Sequence, residues 1–300
     1  MRVAIILNSL SGKKRVFYSR LLPVIREFGS AEVFETKSET DAFDFSVHAV
    51  SQRFDLIIAA GGDGTTNQVL NGMLQSGLAA DQLPALSILP VGSGNDFART
   101  VKITLDADAL RKRLVNFSPL LVDVGSVRFQ KDSKESHSYF LNVCSAGMGP
   151  EVVNKMQSGK KRLGSSMAYY KAILSTFGTY RCMPVTIKTT SWEWRNSLRS
   201  LAIGNGKYFG SGLCIAPDAK PDDGELGAFI CGPVSVFEFI RYTNTLKSGR
   251  KISNPKIEYK AGKEFELTSE SPCRIEADGE LLGFLPATVK VIPQRIKFLY

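Results

Sequence analysis

A run of six mostly apolar residues, Asp55-Leu56-Ile57-Ile58-Ala59-Ala60, leads straight into Gly61-Gly62-Asp63-Gly64-Thr65, and few architectures permit that junction. The run reads as a buried strand, and the spacing of apolar residues predicts a helix from Thr66 onward. Consecutive glycines allow positive φ and a close approach of backbone to ligand. A helix start offers free N–H groups to an anion. An acidic residue inside a phosphate loop makes sense only when a cation accompanies the phosphate, so Asp63 points to a nucleotide with Mg²⁺. A second loop repeats the design. Ala85 to Pro90 reads as a strand, and Pro90-Val91-Gly92-Ser93-Gly94-Asn95-Asp96-Phe97-Ala98-Arg99 carries its end into a helix. Asp96 also suits an ordinary helix cap. Two such loops at strand ends face one crevice in a doubly wound fold. The first strand, Arg2 to Leu7, ends in Asn8-Ser9-Leu10-Ser11-Gly12-Lys13-Lys14, whose small polar residues and lysines could hold phosphates or form a plain loop.

The surrounding chain agrees with that architecture. Helical spacing at 16–28, 69–78 and 107–117 alternates with the strands, which implies a mostly parallel sheet. Near 122–127 the texture changes. Val122 to Phe129, Thr186 to Thr190 and Ile257 to Leu267 alternate with period two. They predict antiparallel β structure, a sandwich, interrupted by helices at about 163–180 and 234–248. No G-x-x-x-x-G-K-[ST] and no complete G-x-G-x-x-G is present, which excludes a P-loop protein and removes the dinucleotide fingerprint.

Composition narrows the function classes. The net charge of +9 favours anionic partners. Five cysteines, an odd number without a C-x-x-C pair, argue against a disulfide framework and a zinc site and suit reduced thiols in the cytosol. Two histidines, His48 and His137, leave no basis for a His-centred triad. The longest charge-free stretches, 138–150 and 226–237, are too short to span a bilayer, so membrane contact is expected to be peripheral. No aromatic-basic module supports nucleic-acid binding.

Together the segments resemble the diacylglycerol kinase catalytic-domain family, soluble bacterial lipid kinases related to sphingosine kinases. The family pattern runs from an N-P-x-x-G-like opening through G-G-D-G-T to G-[TS]-x-N-D-F-A-R. The second half is similar too, with Phe140-Leu141-Asn142-Val143 leading to Gly147, Ile215-Ala216-Pro217-Asp218-Ala219 leading to Asp223-Gly224-Glu225-Leu226, and then Asp278-Gly279-Glu280. The resemblance implies a phosphofructokinase-like α/β nucleotide domain over 1–125. A β-sandwich lipid-acceptor domain over 126–291 and a segment 292–300 returning to the first domain would follow. It implies ATP contacts from Asn8, Ser9, Ser11, Gly12, Thr36, Gly61, Gly62, Asp63, Gly64, Thr65, Thr66, Asn67, Ser93 and Asn95. Asp63, Asp96 and Glu280 would surround a catalytic Mg²⁺, and the Asp278–Glu280 pair would supply the general base. A structural Mg²⁺ would sit on the Asp223 side chain and the carbonyls of Lys220 and Glu225. Three positions depart from the pattern: Ser9 for Pro, Ser93 for Thr, and Gln68 where many members carry Glu.

The acceptor expected from the resemblance is a membrane lipid hydroxyl, foremost diacylglycerol, giving phosphatidic acid. Phosphatidylglycerol, a sphingoid base or a polyprenol, an NAD-kinase-like activity, and a non-catalytic nucleotide-binding regulator are the alternatives. Lys155, Lys160, Lys161 and Arg162 beside the apolar segment Met167 to Phe177 suit an anionic bilayer surface. Arg241, Lys247, Arg250 and Lys251 form a second basic group. The expected setting is cytoplasmic, with peripheral membrane association.

Overall fold

A computed structural model describes residues 1–131, 134–158 and 165–300. Lys160, Lys161 and Arg162 lie outside the described residues, as do the side chains of Met167 and Tyr169. The chain divides into two compact units, Met1–Asp123 with Gln294–Tyr300, and Val124–Pro293.

The first unit is built on strands Arg2–Asn8, Ser30–Thr36, Leu56–Gly61 and Ala85–Pro90, all parallel. The 2–8 strand lies between 30–36 and 56–61, with Ile5 opposite both Val33 and Ile58. Strand 85–90 follows, and the end of the chain adds a further parallel position where Phe298 pairs with Leu86. Leu299 N–H donates to the Leu86 carbonyl at 2.8 Å, and Ser87 Oγ donates to that of Leu299 at 2.7 Å. Strands 56–61 and 85–90 are buried on both faces, as continuous apolar runs in parallel sheets are. The helix expected at 16–28 is three short pieces, Lys14–Val16, Phe17–Leu21 as a π turn, and Leu22–Arg26. Pro23 has no N–H for the regular i−4 bond, and the chain restarts its helix there. Helices Asp41–Ser51, Asp63–Gln75, Asp96–Thr100 and Ala107–Val115 complete the unit.

The second unit is a β-sandwich with helices over one sheet. The central strands Val143–Gly147, Ser200–Gly204 and Leu226–Cys231 are antiparallel neighbours, flanked by Ile257–Gly262 on one side and Arg274–Ala277 on the other. Their side chains alternate between two cores. Cys144, Ala146, Leu201, Ile203, Ala228 and Ile230 face Val185, Ile187, Phe265 and Leu267 of the other sheet. Val143, Ala202, Phe229 and Cys231 face helices Met148–Ser158, Ser165–Thr179 and Val236–Lys247. Both faces are covered, which is why these strands are almost wholly buried. Among the described residues, no helix is long and apolar enough to cross a membrane.

Candidate active site

In the first unit the structure gathers the predicted loop residues at the carboxyl ends of the parallel strands. Asn8 Nδ2 donates to Thr65 Oγ1 at 3.3 Å, and the Ser9 N–H reaches Thr36 Oγ1 at 3.4 Å. Ser11 Oγ donates to the Val91 carbonyl at 2.7 Å, which ties the 8–14 loop to the 90–99 loop. Gly92 N–H donates to the Gly61 carbonyl at 3.0 Å. The glycines are needed for closeness rather than for left-handed backbone. Gly62 is extended, with φ −100° and ψ −168°. A Cβ on Gly92 would stand 2.4 Å from Gly62 Cα, and one on Gly61 2.3 Å from Thr65 Oγ1. The left-handed position falls instead on Asn95, at φ 56°, a geometry that asparagine tolerates. Its Nδ2 returns to the Gly92 carbonyl at 2.8 Å.

Helix 63–75 begins three residues earlier than the spacing predicts, with Gly62 as its cap, so Asp63 lies in its first turn. The Asp63 carboxylate accepts the N–H groups of Asp96 at 3.1 Å and Phe97 at 3.3 Å. Burial pushes this carboxyl upward, against the pull of those donors. Asp96 is buried and lies 3.6 Å from Arg99 Nε. Lys13 and Arg99 line an open cleft of about 250 Å³ beside the loops. Ser93 and Gly12 are exposed. Thr66 and Asn67 are buried, Thr66 donating to the Gly62 carbonyl at 3.2 Å and Asn67 accepting from Asn71.

In the second unit, Asp278 is an anchor. It is buried, at φ 48°, and its carboxylate accepts three consecutive backbone N–H groups, from Leu141 at 2.8 Å, Asn142 at 3.1 Å and Val143 at 2.9 Å. Asp278 N–H donates back to the Val143 carbonyl at 2.9 Å. Asn205 Nδ2 donates to the Leu141 carbonyl at 2.9 Å and Asn142 Nδ2 to that of Tyr208 at 3.0 Å, so one polar network supports the turn. Glu280 begins the last strand and is half-buried.

Sequence reasoning missed Glu276. It is wholly buried behind the turn, accepting from Ser145 Oγ and, at 2.8 Å, from Gly279 N–H. Burial pushes its carboxyl up to about 8; the hydrogen bonds from Ser145 and Gly279 oppose this, while Asp278 and Glu280 add to it. In the unfolded chain the group ionises near 4.5, so between the two values unfolding releases a proton. Stability therefore falls as pH rises through that window, by about 1.4 kcal/mol per unit, and levels off above it. Glu276→Gln cannot ionise. Denaturant unfolding should show the variant gaining roughly 2 kcal/mol on the parent between pH 6.5 and 8. Parallel pH profiles would refute the assignment.

Lys220, Asp223 and Glu225 lie on one exposed loop, where Asp223 Oδ1 accepts the Glu225 N–H at 3.1 Å. The loop lines a polar cleft with Lys207, Lys251 and Lys260. Among the described residues, no three His, Cys, Asp or Glu side chains converge as a metal cluster. Asp63, in the first turn of helix 63–75, lies beside Asp96, a donor set that fits Mg²⁺, which takes one or two carboxylates and completes its shell with phosphates and water.

The remaining feature is an apolar cavity of about 80 Å³ between helices 148–158, 165–179 and 236–247 and the sheet, walled by Met148, Val152, Phe177, Phe229, Phe239 and Leu246. Gln157, on the first of these helices, donates to the Gly279 carbonyl at 3.2 Å, so one helix connects the cavity wall to the 278–280 turn.

Two family models match in succession, the diacylglycerol kinase catalytic domain over residues 2–127 and the YegS C-terminal NAD kinase beta sandwich-like domain over 142–300. The chain belongs to the diacylglycerol kinase catalytic-domain family. It is an enzyme of the lipid-kinase class. A diacylglycerol kinase of Bacillus subtilis is 29% identical over 292 residues, 95% of this chain and 91% of that protein. The crystal structure of a diacylglycerol kinase from Bacillus anthracis superposes with a TM-score of 0.74 at 22% identity, covering 100% of this chain and 96% of that one. Yeast NADH kinase shares the fold at a TM-score of 0.53 and 9% identity, over 99% of this kinase and 82% of that chain.

Proposed function

We infer that this kinase transfers the γ-phosphoryl group of ATP, with Mg²⁺, to the free hydroxyl of a glycerolipid, foremost diacylglycerol. The observation that carries the lipid reading is the apolar cavity whose wall, helix 148–158, also holds the 278–280 turn through Gln157. The first unit is the nucleotide-binding part. The first-turn N–H groups of helix 63–75 and the cations Lys13 and Arg99 suit a polyphosphate. Asp63 and Asp96 would hold Mg²⁺ in part through water, and the bound ion would offset the phosphate charge. The lipid oxygen attacks the γ-phosphorus, the bond to the ADP oxygen breaks, and the hydroxyl proton passes to a carboxylate of the Asp278–Glu280 pair. Asp278 also holds the turn in place. Asp223, with the carbonyls of Lys220 and Glu225, is assigned a structural Mg²⁺.

The test is incubation with Mg-ATP and a lipid panel, with products read by mass spectrometry. Phosphatidic acid from diacylglycerol is expected; transfer to no lipid in the panel overturns the reading.

A lipid acceptor requires docking at a bilayer, and helix 236–247 has the surface for it. Phe237 is 81% and Ile240 53% exposed, and Leu174 of the neighbouring helix is 41% exposed. Arg241, Lys247, Arg250 and Lys171 are exposed around them. Insertion of apolar side chains together with about 1 kcal/mol per nearby cation suits an anionic membrane. Phe237→Ser with Ile240→Ser should weaken sedimentation with anionic vesicles at least tenfold while sparing ATP affinity. Equal sedimentation would reject this helix as the docking surface.

A further inference from the structure

The two carboxylates assigned to the hydroxyl proton stand on either side of a turn, so whatever holds that turn aims them. Ala277 pairs with Glu280, which makes Asp278-Gly279 a two-residue hairpin loop, at φ 48° and 90°. Both loop amides lie outside the strand ladder, and each has its own partner. Asp278 N–H donates to the Val143 carbonyl at 2.9 Å, and Gly279 N–H donates to Glu276 Oε2 at 2.8 Å. The Gly279 N–H and the Asp278 carbonyl share one rigid peptide plane. The Glu276 bond therefore fixes ψ of Asp278 and φ of Gly279, two backbone angles that relate one carboxylate to the other.

Glu276 is itself held from behind. Ile275 and Ala277 face the sandwich core, while Glu276 points the opposite way beside Ser145, its neighbour on strand 143–147. Ser145 Oγ donates to Glu276 Oε1. Helix 148–158 closes over the pair, for a Cβ on Gly149 would stand 2.6 Å from Ser145 Oγ. A carboxyl is a costly occupant of so enclosed a position, and an apolar side chain would be buried there without that cost. Packing stability does not account for the choice; the bond to the turn does.

We propose that Glu276 is a positioning residue for phosphoryl transfer, holding the 278–279 peptide so that the Asp278–Glu280 pair meets the lipid hydroxyl. The inference rests on the proton-acceptor role given to that pair above and names what orients it. In this role Glu276 touches no substrate, so its removal acts on kcat rather than on binding. The role needs side-chain length and an acceptor oxygen, not negative charge.

The experiment measures transfer from Mg-ATP to diacylglycerol in mixed micelles by the intact chain, per mole of folded enzyme. Glu276→Met is similar in volume and has no acceptor. It should lower kcat about thirtyfold, as a small misplacement of a reacting group does, with both KM values within about twofold of the parent. Glu276→Gln keeps the length and an amide oxygen for Gly279, and its kcat should stay within about fivefold of the parent. Glu276→Asp keeps the carboxyl but falls one methylene short, and should lie below the Gln variant. A merely structural residue would change melting temperature and yield while leaving the kcat of the folded enzyme alone. A folded Met variant with kcat within about threefold of the parent overturns the proposal. If the Met variant does not fold, an Asp variant at or above the Gln variant overturns it, and the reverse order supports it. Asp278→Asn and Glu280→Gln variants that both keep parental turnover overturn the proton-acceptor role, and this one with it. If either of those is inactive while the Glu276 variants are not, only the positioning role falls.

Discussion

Asp63→Asn is expected to lower phosphoryl transfer by at least about a hundredfold while leaving the kinase folded. The substitution removes one negative charge and little else. Asparagine is nearly isosteric, and its amide oxygen can still accept one of the two N–H bonds now made by Asp96 and Phe97. What is lost is the anionic oxygen proposed for Mg²⁺, at a position where burial already opposes ionisation of the free carboxylate. A bound cation would offset that burial, so metal and carboxylate should depend on each other strongly. The measurements are steady-state transfer to diacylglycerol, Mg²⁺ dependence and melting temperature. A folded variant with turnover within threefold of the parent removes Asp63 from the metal assignment.

The glycine loops were legible because their demands are local. A strand of apolar residues ending in adjacent glycines already implies a junction where backbones nearly touch, and Gly92 and Gly62 meet that way. Of the two properties expected of these glycines, close approach is used and positive φ is not. Helix 41–51 escaped notice because its buried stripe is Ala42, Ser46, Ala49 and Val50, small residues that give weak periodicity. Small residues are needed there, for a Cβ on Gly72 of the next helix would meet Ser46 Oγ at 2.0 Å. Helix 148–158 was hidden by Gly149-Pro150, which reads as a loop, although proline in a first turn suits a helix.

The three carboxylates near the last turn show where pattern reasoning stops. Glu276, Asp278 and Glu280 share one parity, so alternation alone gives them one environment. A register shift at Ile275/Glu276 and the turn at 278–279 break that parity. One carboxylate is then enclosed with Ser145, one anchors a loop more than a hundred residues away in sequence, and one opens the last strand. The anchoring partners at 141–143 contribute main-chain N–H groups, which carry no side-chain signature. The exposed Phe237 and Ile240 were likewise hidden within a pattern that reads as an ordinary amphipathic helix.

That anchoring makes Asp278→Ala the substitution with the largest expected effect on stability. It removes the acceptor from three consecutive buried N–H groups and leaves them without that partner. Each such orphaned donor is unfavourable by about 1–3 kcal/mol, though three in one loop can relax together and their effects do not add fully. Position 278 also has φ 48°, which alanine adopts less readily than aspartate or asparagine. A loss of about 4 kcal/mol is therefore expected, a large share of the stability of an ordinary domain. Asp278→Asn separates this structural duty from chemistry. Its amide oxygen keeps one acceptor and its side chain suits the left-handed backbone, so it should lose roughly 1–2 kcal/mol. If the pair's proton acceptor is Asp278, the Asn variant should be folded and nearly inactive; if it is Glu280, Glu280→Gln should show that phenotype and Asp278→Asn should keep measurable transfer. Urea unfolding of the three variants, followed by turnover of those that remain folded, reads both duties at once. An Asp278→Ala chain as stable as the parent would refute the anchor, because nothing else among the described residues is seen to accept those three N–H groups.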